Sequence, residues 1–397
     1  MMLPDYFEFS LPSRVIAGRG LLDSMAAEIE ALGVTKGMVV TDKVLQEAGV
    51  VRRVLDALGS SSLEIAYVFD EVPPDSDTEI VQKGAELARE HGVDFLLAIG
   101  GGSSMDTAKG INIVYTLGGN ILDHQGAGVV AAPLALKLVA IPTTSGTGSE
   151  VTGVAVIKDR AQNLKLSYPS PFLTPNLSIL IPELTLSMSP RLTAATGMDA
   201  LTHAVEAYLS TNADPFSDGL ALHAIKIICQ HLPAATHNGQ DLEARYQMQV
   251  GACIAGASFT YPLVGVVHAS AHAAGGVHGL HHGLGCSIML PYGMEFNLEV
   301  SPERYRDIAQ AMGIDVRGLS GEEAGWKAIE KVWRLAKDCG LPTNLKDAGV
   351  PQEAIHIIAE VALTDGAMVT NPRPAELEDL QQLMQQAYEG ALDQKFA

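Results

Sequence analysis

Residues 246–294 form a run of 49 positions without a single Asp, Glu, Lys or Arg. The run is rich in Gly, Ala and Ser, is interrupted by Pro262, and has no purely apolar stretch of about 20 residues such as a membrane-spanning helix requires. We therefore predict buried helices and loops. The run holds five of the chain's 12 histidines, namely His268, His272, His278, His281 and His282. Because a buried imidazole without a partner costs free energy, these side chains need hydrogen bonds or a metal ion.

The first half of the chain alternates short apolar runs with amphipathic segments, a pattern typical of a mostly parallel sheet flanked by helices. The predicted strands lie at residues 38–40, 95–99, 138–141 and 178–181. A helix is predicted to follow Ser76, which has capping-box spacing to Glu79, and to end at Gly92.

Strand signals fade after about residue 186, beyond the proline-rich stretch 169–190, and helical periods take over. The predicted helices span residues 194–209, 218–231 and 376–392. The sequence thus predicts an α/β, Rossmann-like N-terminal domain in residues 1–186 and an all-α C-terminal domain in residues 187–397.

The charge and the cysteines restrict the class of protein. A net charge of −20 repels nucleic acid and anionic membranes, so neither is an expected partner. The four cysteines show no CxxC pair and no regular spacing, which argues against a disulfide framework and against a thiolate zinc site. The first 14 residues have no basic region ahead of an apolar core, so we expect no signal peptide and a cytoplasmic location.

Two loops with small or hydroxyl side chains follow predicted strands. Residues 100–104 read Gly-Gly-Gly-Ser-Ser ahead of a helical turn, and seven of the nine residues 142–150 are Thr, Ser or Gly. Such loops suit a phosphate-containing ligand, although a tight turn that binds nothing remains an alternative. Asp42 follows another strand, where it could bond the ribose of NAD and disfavour NADP, or simply cap a helix.

The second half of the chain offers ligands for a metal. Asp199 and His203 are four residues apart on a predicted helix, as are His268 and His272, so each pair shares one helical face. A hydrogen-bonded core pair is the alternative for Asp199 and His203 taken alone. Together with the remaining histidines, these two pairs predict a site for a divalent metal. Carboxylate and imidazole ligands fit Fe(II), Zn(II) and Mn(II), so the type of ligand does not identify the metal.

Several long segments resemble the iron-containing (group III) alcohol dehydrogenases, and the resemblance runs nearly end to end. They are GGGSSMDTAKG at 100–110, PTTSGTGSEVT at 142–152, GMDALTHAVEAY at 197–208, the histidine-rich segment 268–283 and NPRP at 371–374. The resemblance implies Asp199, His203, His268 and His282 as metal ligands. It also places His272 near the nicotinamide, where this side chain is our candidate to pass the hydroxyl proton to solvent, with a positioned water or the cofactor ribose as the alternatives.

The resemblance further implies an NAD site. Its residues would be Asp42, Gly101, Gly102, Ser103, Thr143, Thr144, Thr147, Thr152 and Lys165, with Lys165 reaching the ribose. Three departures from the common pattern concern the substrate and the adenosine side of the cofactor. They are Ala273-Ala274 where relatives often have Pro-Leu, His281 where Pro is frequent, and Pro73-Pro74-Asp75 where Asn-Pro-Thr is common.

The expected function is metal-dependent, NAD(H)-linked oxidation of small primary alcohols or diols, or reduction of the aldehydes, by hydride transfer. The alternatives are a hydroxyacid-oxoacid transhydrogenase or 4-hydroxybutyrate dehydrogenase and, more distantly, a dehydroquinate-synthase-like or glycerol-phosphate dehydrogenase activity. A non-catalytic metal or nucleotide sensor is a further alternative. Substrates with phosphate or carboxylate need cationic partners, and residues 246–294 contain none, which favours a neutral alcohol. The resemblance also implies a homodimer or larger homo-oligomer.

Overall fold

The computed structural model describes residues 5–162 and 164–396. The chain divides into two compact units, one formed by Ser10–Met188 and the other by residues 189–396 together with the described residues before Ser10. The predicted boundary at residue 186 stays a prediction. The structure adds that the segment before Ser10 belongs with the helical unit, since Phe7 and Phe9 lie 6.0 and 5.4 Å from Phe216, ring centre to ring centre.

The described residues of the first unit form eight β-strands. They are β1 (Arg14–Ala17), β2 (Lys36–Val40), β3 (Glu64–Phe69), β4 (Phe95–Gly100), β5 (Lys137–Pro142), β6 (Val154–Asp159), β7 (Leu164–Pro169) and β8 (Leu177–Leu180). Six of them form a sheet in the order β1-β8-β5-β4-β2-β3, in which every described pairing is parallel. Strands β6 and β7 form a separate antiparallel hairpin. The predicted parallel sheet is confirmed.

Five α-helices accompany this sheet. They are α1 (Met25–Glu30), α2 (Lys43–Glu47), α3 (Val50–Leu58), α4 (Thr78–His91) and α5 (Gly102–Leu117). The unit has two apolar cores: one gathers Met38, Leu96 and Ala140, and the other Val39, Leu97 and Val139. This alternation along each central strand shows that both faces of the sheet are covered.

The predicted capping box at Ser76 is wrong by one residue. Asp77 caps α4, because its Oδ1 accepts the N–H of Ile80 at 2.9 Å. Ser76 Oγ instead accepts the hydroxyl of Thr107 at 2.7 Å. A carboxylate competes well for a helix N-terminus, which explains why Asp rather than the adjacent Ser takes the position. The predicted end at Gly92 is confirmed by its left-handed conformation.

The second unit contains ten α-helices among its described residues. They are α6 (Pro190–Leu209), α7 (Pro215–His237), α8 (Leu242–Phe259), α9 (Val266–His278), α10 (His282–Leu298), α11 (Pro302–Ala311), α12 (Gly321–Asp338), α13 (Ala354–Leu363), α14 (Leu377–Glu389) and α15 (Ala391–Phe396). Short 3-10 helices elsewhere in the chain span Leu21–Asp23, Ile121–His124, Pro171–Leu173, Pro182–Leu184 and Gly366–Thr370.

The uncharged run 246–294 lies in α8, α9 and α10 and the loops between them. Met248, Ala269 and Ile288 from these helices are buried in one large apolar core. The prediction of buried helix and loop is therefore confirmed. None of the described helices has the length and apolarity that crossing a bilayer would require.

Candidate metal centre and dinucleotide-binding loops

Three helices of the second unit bring the predicted metal ligands together. Asp199 Oδ1 on α6 lies 3.6 Å from His268 Nε2 on α9 and 3.3 Å from His282 Nε2 on α10. The ring of His203, one turn after Asp199, stacks on that of His268 with the ring centres 4.5 Å apart. Side chains separated by as many as 83 residues in sequence thus meet in one buried cluster.

The donor atoms of this cluster lack ordinary partners. Asp199 Oδ1, His203 Nδ1 and His268 Nε2 are buried and have no hydrogen-bond partner within the described part of the chain. Leaving such atoms unsatisfied costs roughly 1–3 kcal/mol each, so the fold retains them against a penalty that a bound cation would remove. Carboxylate and imidazole donors suit Fe(II), Zn(II) and Mn(II). The residues present therefore fit a divalent metal.

The protonation states of Asp199 and His203 suit a metal. Burial lowers the pKa of His203 to about 3, which leaves its imidazole neutral at pH 7. Although burial alone would raise it, the pKa of Asp199 is held well below its ordinary value by His203 and His282. A neutral imidazole and an ionised carboxylate are the forms that bind metal ions. Although burial alone would lower it, the pKa of His268 is instead held well above its ordinary value by Cys286, Asp199 and Glu206.

Cys286 is a donor that the sequence analysis missed. Within the described residues, the donor atoms of Asp199, His268, His282 and Cys286 all lie within 4.8 Å of one another. Cys286 is one turn after His282 on α10, and the i, i+4 spacing used for the other pairs would have identified it. His203 lies beside this group but not in it, so its role as a ligand stays a prediction.

Two further side chains hold the histidines of α9. Glu206 Oε2 accepts a hydrogen bond from His268 Nδ1 at 2.5 Å, and Glu206 Oε1 accepts the backbone N–H of Val267 at 2.7 Å. Asp365 Oδ2 lies 3.0 Å from Nδ1 of His272. Glu206 shares the helical face of Asp199 and His203, seven and three residues before it, whereas no local pattern points to Asp365.

His278 and His281 do not join the cluster. The Nε2 atom of His278 lies 2.9 Å from the carbonyl oxygen of Gly349, and His278 is exposed. His281 precedes the first turn of α10 and is also exposed. Of the three histidines between 278 and 282, the structure places His282 at Asp199.

In the first unit, the two glycine- and hydroxyl-rich loops lie side by side. Strands β4 and β5 are neighbours, with Gly100 opposite Pro142 at their carboxyl ends. A Cβ added at Gly101 would lie 3.1 Å from Thr144 Oγ1, and one added at Gly102 would lie 2.9 Å from Thr147 Cγ2. Glycine is thus required at Gly102 for the loops to approach each other this closely.

This edge of the sheet offers unsatisfied polar groups to a ligand. The hydroxyls of Thr41, Ser104 and Ser145 are buried and have no hydrogen-bond partner among residues 5–162 and 164–396. Gly101 supplies no side-chain cap to α5, so the first N–H groups of that helix remain open to an anion. A phosphate-bearing cofactor fits this edge, where open α/β sheets bind nucleotides.

The remaining predicted cofactor residues have partners within the protein. Asp42 caps α2 by accepting the N–H of Leu45 at 2.9 Å, which is the capping alternative. The backbone oxygen of Ser103 accepts a hydrogen bond from the hydroxyl of Thr107. The backbone N–H of Thr143 donates a hydrogen bond to the backbone oxygen of Gly100. These bonds leave the roles of Asp42, Ser103 and Thr143 towards NAD as predictions.

Lys165 lies on β7, where its Nζ is 2.8 Å from Asp75 Oδ1. Asp75 has a positive φ of 48° and belongs to the Pro73-Pro74-Asp75 segment that departs from the common pattern. A surface cavity of about 380 Å³ is lined by this segment with Lys158 and Arg160. The predicted ribose contact of Lys165 therefore has a carboxylate beside it.

The buried side chain of Lys109 forms hydrogen bonds to the loop and backbone that follow β5. Lys109 Nζ donates to Ser149 Oγ at 2.8 Å, to Thr152 O at 3.0 Å and to Val154 O at 2.7 Å. Burial lowers its pKa to about 8, although Asp106, 3.9 Å away, pulls in the opposite direction. Thr152, predicted to bind the cofactor, is thus an anchor for Lys109.

Comparison with known proteins finds similarity along nearly the whole chain. Residues 12–182 match the sequence profile described as iron-containing alcohol dehydrogenase, and residues 193–388 match that of the C-terminal part of the Fe-containing alcohol dehydrogenase family. The NAD-dependent methanol dehydrogenase of Bacillus methanolicus is 38% identical over 379 residues, 96% of this chain and 99% of that protein. The 1,3-propanediol dehydrogenase of Klebsiella pneumoniae is 36% identical over 384 residues, 96% of this chain and 99% of that protein.

A comparison with solved structures also finds similarity along nearly the whole chain. The crystal structure of a 1,3-propanediol oxidoreductase superimposes with a TM-score of 0.93 at 36% identity, covering 96% of this chain and 100% of that one.

Proposed function

The chain belongs to the iron-containing alcohol dehydrogenase family, and from that membership we propose that it is a metal-dependent, NAD(H)-linked alcohol dehydrogenase for small primary alcohols or diols. The observation that carries the proposal is the convergence of Asp199, His268 and His282. Asp199 Oδ1 lies 3.6 Å from His268 Nε2 and 3.3 Å from His282 Nε2, and Asp199 Oδ1 and His268 Nε2 have no hydrogen-bond partner in the described structure. NAD-dependent and diol-oxidising relatives along nearly the whole chain support the choice of reaction.

In the proposed mechanism the helical unit holds the metal through Asp199, His268 and His282, with His203 or Cys286 adjoining. A divalent ion held there would supply Lewis-acid chemistry towards the substrate oxygen, and NAD would supply the hydride acceptor. Glu206 orients His268, because its carboxylate fixes the proton on Nδ1 and leaves Nε2 free as the donor atom.

His272 is proposed to accept the hydroxyl proton. Burial alone would raise the pKa of Asp365, but the hydrogen bond from His272 lowers it below its ordinary value. The ionised Asp365 accepts a hydrogen bond from Nδ1 of His272, which leaves Nε2 as the ring atom that can accept a proton. The His272 side chain is 27% exposed and can therefore pass a proton on to solvent.

The loops of the first unit are proposed to hold NAD. Gly101 and Gly102 let the backbone approach the pyrophosphate, and Thr144 and Thr147 add hydroxyl groups beside them. Lys165 is proposed to reach the ribose, and Asp42 to favour NAD over NADP.

A neutral substrate is favoured by the same region that supplies most of the ligands. Residues 246–294 provide His268 and His282 but no Lys or Arg, so this region offers no cationic partner for a carboxylate or phosphate. Methanol and 1,3-propanediol, after which the relatives are named, are neutral alcohols.

We also propose a cytoplasmic homodimer. All four cysteines are free thiols, which suits a reducing compartment. Tyr6 is 79% exposed beside Phe7 and Phe9, and Phe216, which they contact, is 59% exposed, so this aromatic surface suits contact with a second copy. Light scattering of the purified protein tests the assembly.

The decisive experiment measures NAD(H)-linked activity of metal-stripped protein restored separately with Fe(II), Zn(II) and Mn(II). The substrates are ethanol, butanol and 1,3-propanediol, with 4-hydroxybutyrate as the charged alternative. Metal-dependent activity on the neutral alcohols is the expected result. Bound metal and bound NADH with no turnover of any alcohol would contradict the proposal and favour a sensor or a lyase.

A further inference from the structure

The first residue of the NPRP segment 371–374 lies buried against α9, although the proposed mechanism gives this segment no role. Asn371 directly follows the 3-10 helix Gly366–Thr370 and is 6% exposed. Its Oδ1 accepts the backbone N–H of Val266, the first residue of α9, at 3.1 Å. The N–H groups at a helix start have no acceptor within the helix, and Gly265 offers no side-chain cap. Asn371 therefore supplies one of the acceptors that α9 needs.

The side-chain amide of Asn371 makes every hydrogen bond of which it is capable. Besides the N–H of Val266, its Oδ1 accepts a hydrogen bond from Nδ2 of Asn297 at 3.0 Å. Its Nδ2 donates to Oδ1 of Asn297 at 2.9 Å and to the backbone oxygen of Arg373 at 2.7 Å. A backbone N–H requires an acceptor, so Val266 fixes which way the Asn371 amide faces, and the reciprocal pair then fixes Asn297. Aspartate has no N–H groups and would lose the two bonds that Nδ2 donates.

Three elements around the candidate metal centre meet at the Asn371 amide. The amide bonds the first residue of α9 and Asn297 in the last turn of α10, and its own backbone directly follows the 3-10 helix. The side chains that these elements present to the centre, or in one case hold at the N-cap, are His268, His272, His282 and Asp365. A change in this amide therefore alters where those side chains lie relative to one another.

Gly265 allows the first turn of α9 to lie between two acceptors. A Cβ added at Gly265 would be 2.7 Å from Asn371 Oδ1 and 3.1 Å from Glu206 Oε1, so a larger residue would displace one of them. Glu206 Oε1 accepts the N–H of Val267, the residue after the one that Asn371 binds. A carboxylate in place of the Asn371 amide would face that of Glu206 across the glycine, and like charges at this spacing repel. A neutral amide is therefore the acceptor that fits.

We propose that Asn371 is a positioning residue for the metal centre, which fixes the start of α9 and through it the places of His268 and His272. Asn297 keeps the Asn371 amide in the orientation that this role requires. The inference rests on the proposed metal-dependent function and deepens it by assigning a role to the NPRP segment. Asn371 acts through the backbone of α9 and is neither a ligand nor an acid–base group. A residue that served stability alone would not change the metal affinity of the folded protein.

The test measures Zn(II) binding to the metal-stripped full-length protein, without NAD or alcohol, by competition with a chelator below the unfolding temperature of every variant. Asn371→Ala is expected to bind Zn(II) roughly tenfold more weakly, the lower end of the range for residues that orient ligands from outside. Asn297→Ala leaves the bond to Val266 in place and should have a smaller effect. NADH binding, measured by fluorescence, should be unchanged in both, because the glycine-rich loops belong to the other unit.

Asn344→Ala is the matched control. Asn344 is also a buried asparagine of the helical unit, and its side chain bonds Asp347 and Asp393, which lie outside α6, α9 and α10. We expect this change to lower the melting temperature, as Asn371→Ala does, and to leave the Zn(II) affinity near that of the wild type.

The results distinguish the positioning role from the proposed function. Wild-type Zn(II) affinity in Asn371→Ala, or an equal loss in Asn344→Ala, overturns the role of Asn371 and leaves the metal centre standing. Failure of the wild type to bind any divalent ion overturns both. If Asn371→Ala does not fold, Asn297→Ala decides: weakened Zn(II) binding beside normal binding in Asn344→Ala supports the role, and wild-type affinity overturns it.

Discussion

The Nδ1 atom of His268 lies 2.5 Å from Oε2 of Glu206, which also accepts backbone N–H groups at the start of α9. One carboxylate thus fixes both the ring of a predicted ligand and the helix that carries it. Such outer partners of metal ligands set the tautomer and the basicity of the imidazole.

Replacing Glu206 with Ala is expected to lower metal affinity roughly 10- to 100-fold, because His268 loses the acceptor that orients it. Glu206→Gln, which keeps one oxygen, should lie between Ala and wild type. Competition with a chelator measures the dissociation constant. Glu322→Gln, at the exposed start of α12, is the control. Unchanged affinity in Glu206→Ala would contradict a positioning role.

His272→Ala is expected to lower turnover by at least roughly 100-fold, the usual contribution of a positioned acid or base, while metal content stays near that of the wild type. Asp365→Asn should reduce turnover less, because the asparagine still occupies the site but carries no charge to stabilise the proton. Elemental analysis and steady-state rates on the same preparations check both. His278→Ala, at an exposed position on the same helix, is the control. Equal loss of metal and activity would make His272 a ligand instead.

Gly102→Ala is expected to weaken NADH binding roughly tenfold, which corresponds to about 1.4 kcal/mol. The added methyl group would lie 2.9 Å from Thr147 Cγ2, so the two loops must separate. Fluorescence titration with NADH measures the effect. Gly219→Ala, on α7, meets nothing within 4 Å and should bind NADH normally. A wild-type affinity in Gly102→Ala would show that the loops tolerate separation or do not hold the dinucleotide.

Lys109 predicts a pH dependence of stability. Burial lowers its pKa to about 8 from an ordinary 10.5, so between these values the unfolded chain binds more protons than the folded one. The contribution of Lys109 to the free energy of unfolding therefore rises with pH in this window, by about 1–3 kcal/mol. At pH values below 8 the buried side chain is charged, and the full free-energy cost of burying that charge applies.

Lys109→Met should remove this rise, whereas the exposed Lys346→Met should keep it. Urea denaturation at several pH values from 7.5 to 10 would measure it. The same slope in Lys109→Met and wild type would assign the effect to other groups.

Asp75→Asn is expected to strengthen binding of the dinucleotide by about two- to fivefold, the range of a partly exposed ion pair. Lys165 then loses its ion pair with the Asp75 carboxylate, 2.8 Å away, and its ammonium group is available to bind the cofactor. Asn is chosen because it tolerates the positive φ at this position. Binding of NADH is compared in Asp75→Asn, Lys165→Met and the double variant. If Asp75→Asn has the same effect in the Lys165→Met background, Lys165 does not mediate it.

The class of fold and most of the candidate site could be predicted from local patterns. Apolar runs identify central strands such as β4 and β5, and the i, i+4 spacing of Asp199 with His203 places both on one helical face. Strands β1 and β3 and the hairpin of β6 and β7 were not predicted, because their burial alternates or is partial and gives a weaker apolar signal.

The choice among His278, His281 and His282 shows where local patterns fail. Helix α9 ends at His278, the φ of 75° at the following Gly279 reverses the backbone, and α10 begins at His282. The helical period therefore does not continue from one helix to the next, and only tertiary packing decides which imidazole meets Asp199. The resemblance supplied His282, which the structure places beside Asp199.

The first turn of α9 depends on distant parts of the chain. Gly265 gives it no side-chain cap, and its N–H groups are instead bound by Glu206 and Asn371, which are 61 and 105 residues away from Val267 and Val266. His268 therefore reaches its place only when α6 and the segment that follows the 3-10 helix Gly366–Thr370 have both docked. The geometry of the candidate metal centre is consequently coupled to a residue far along the chain, so a truncation after α13 would remove one of the two groups that hold the start of α9.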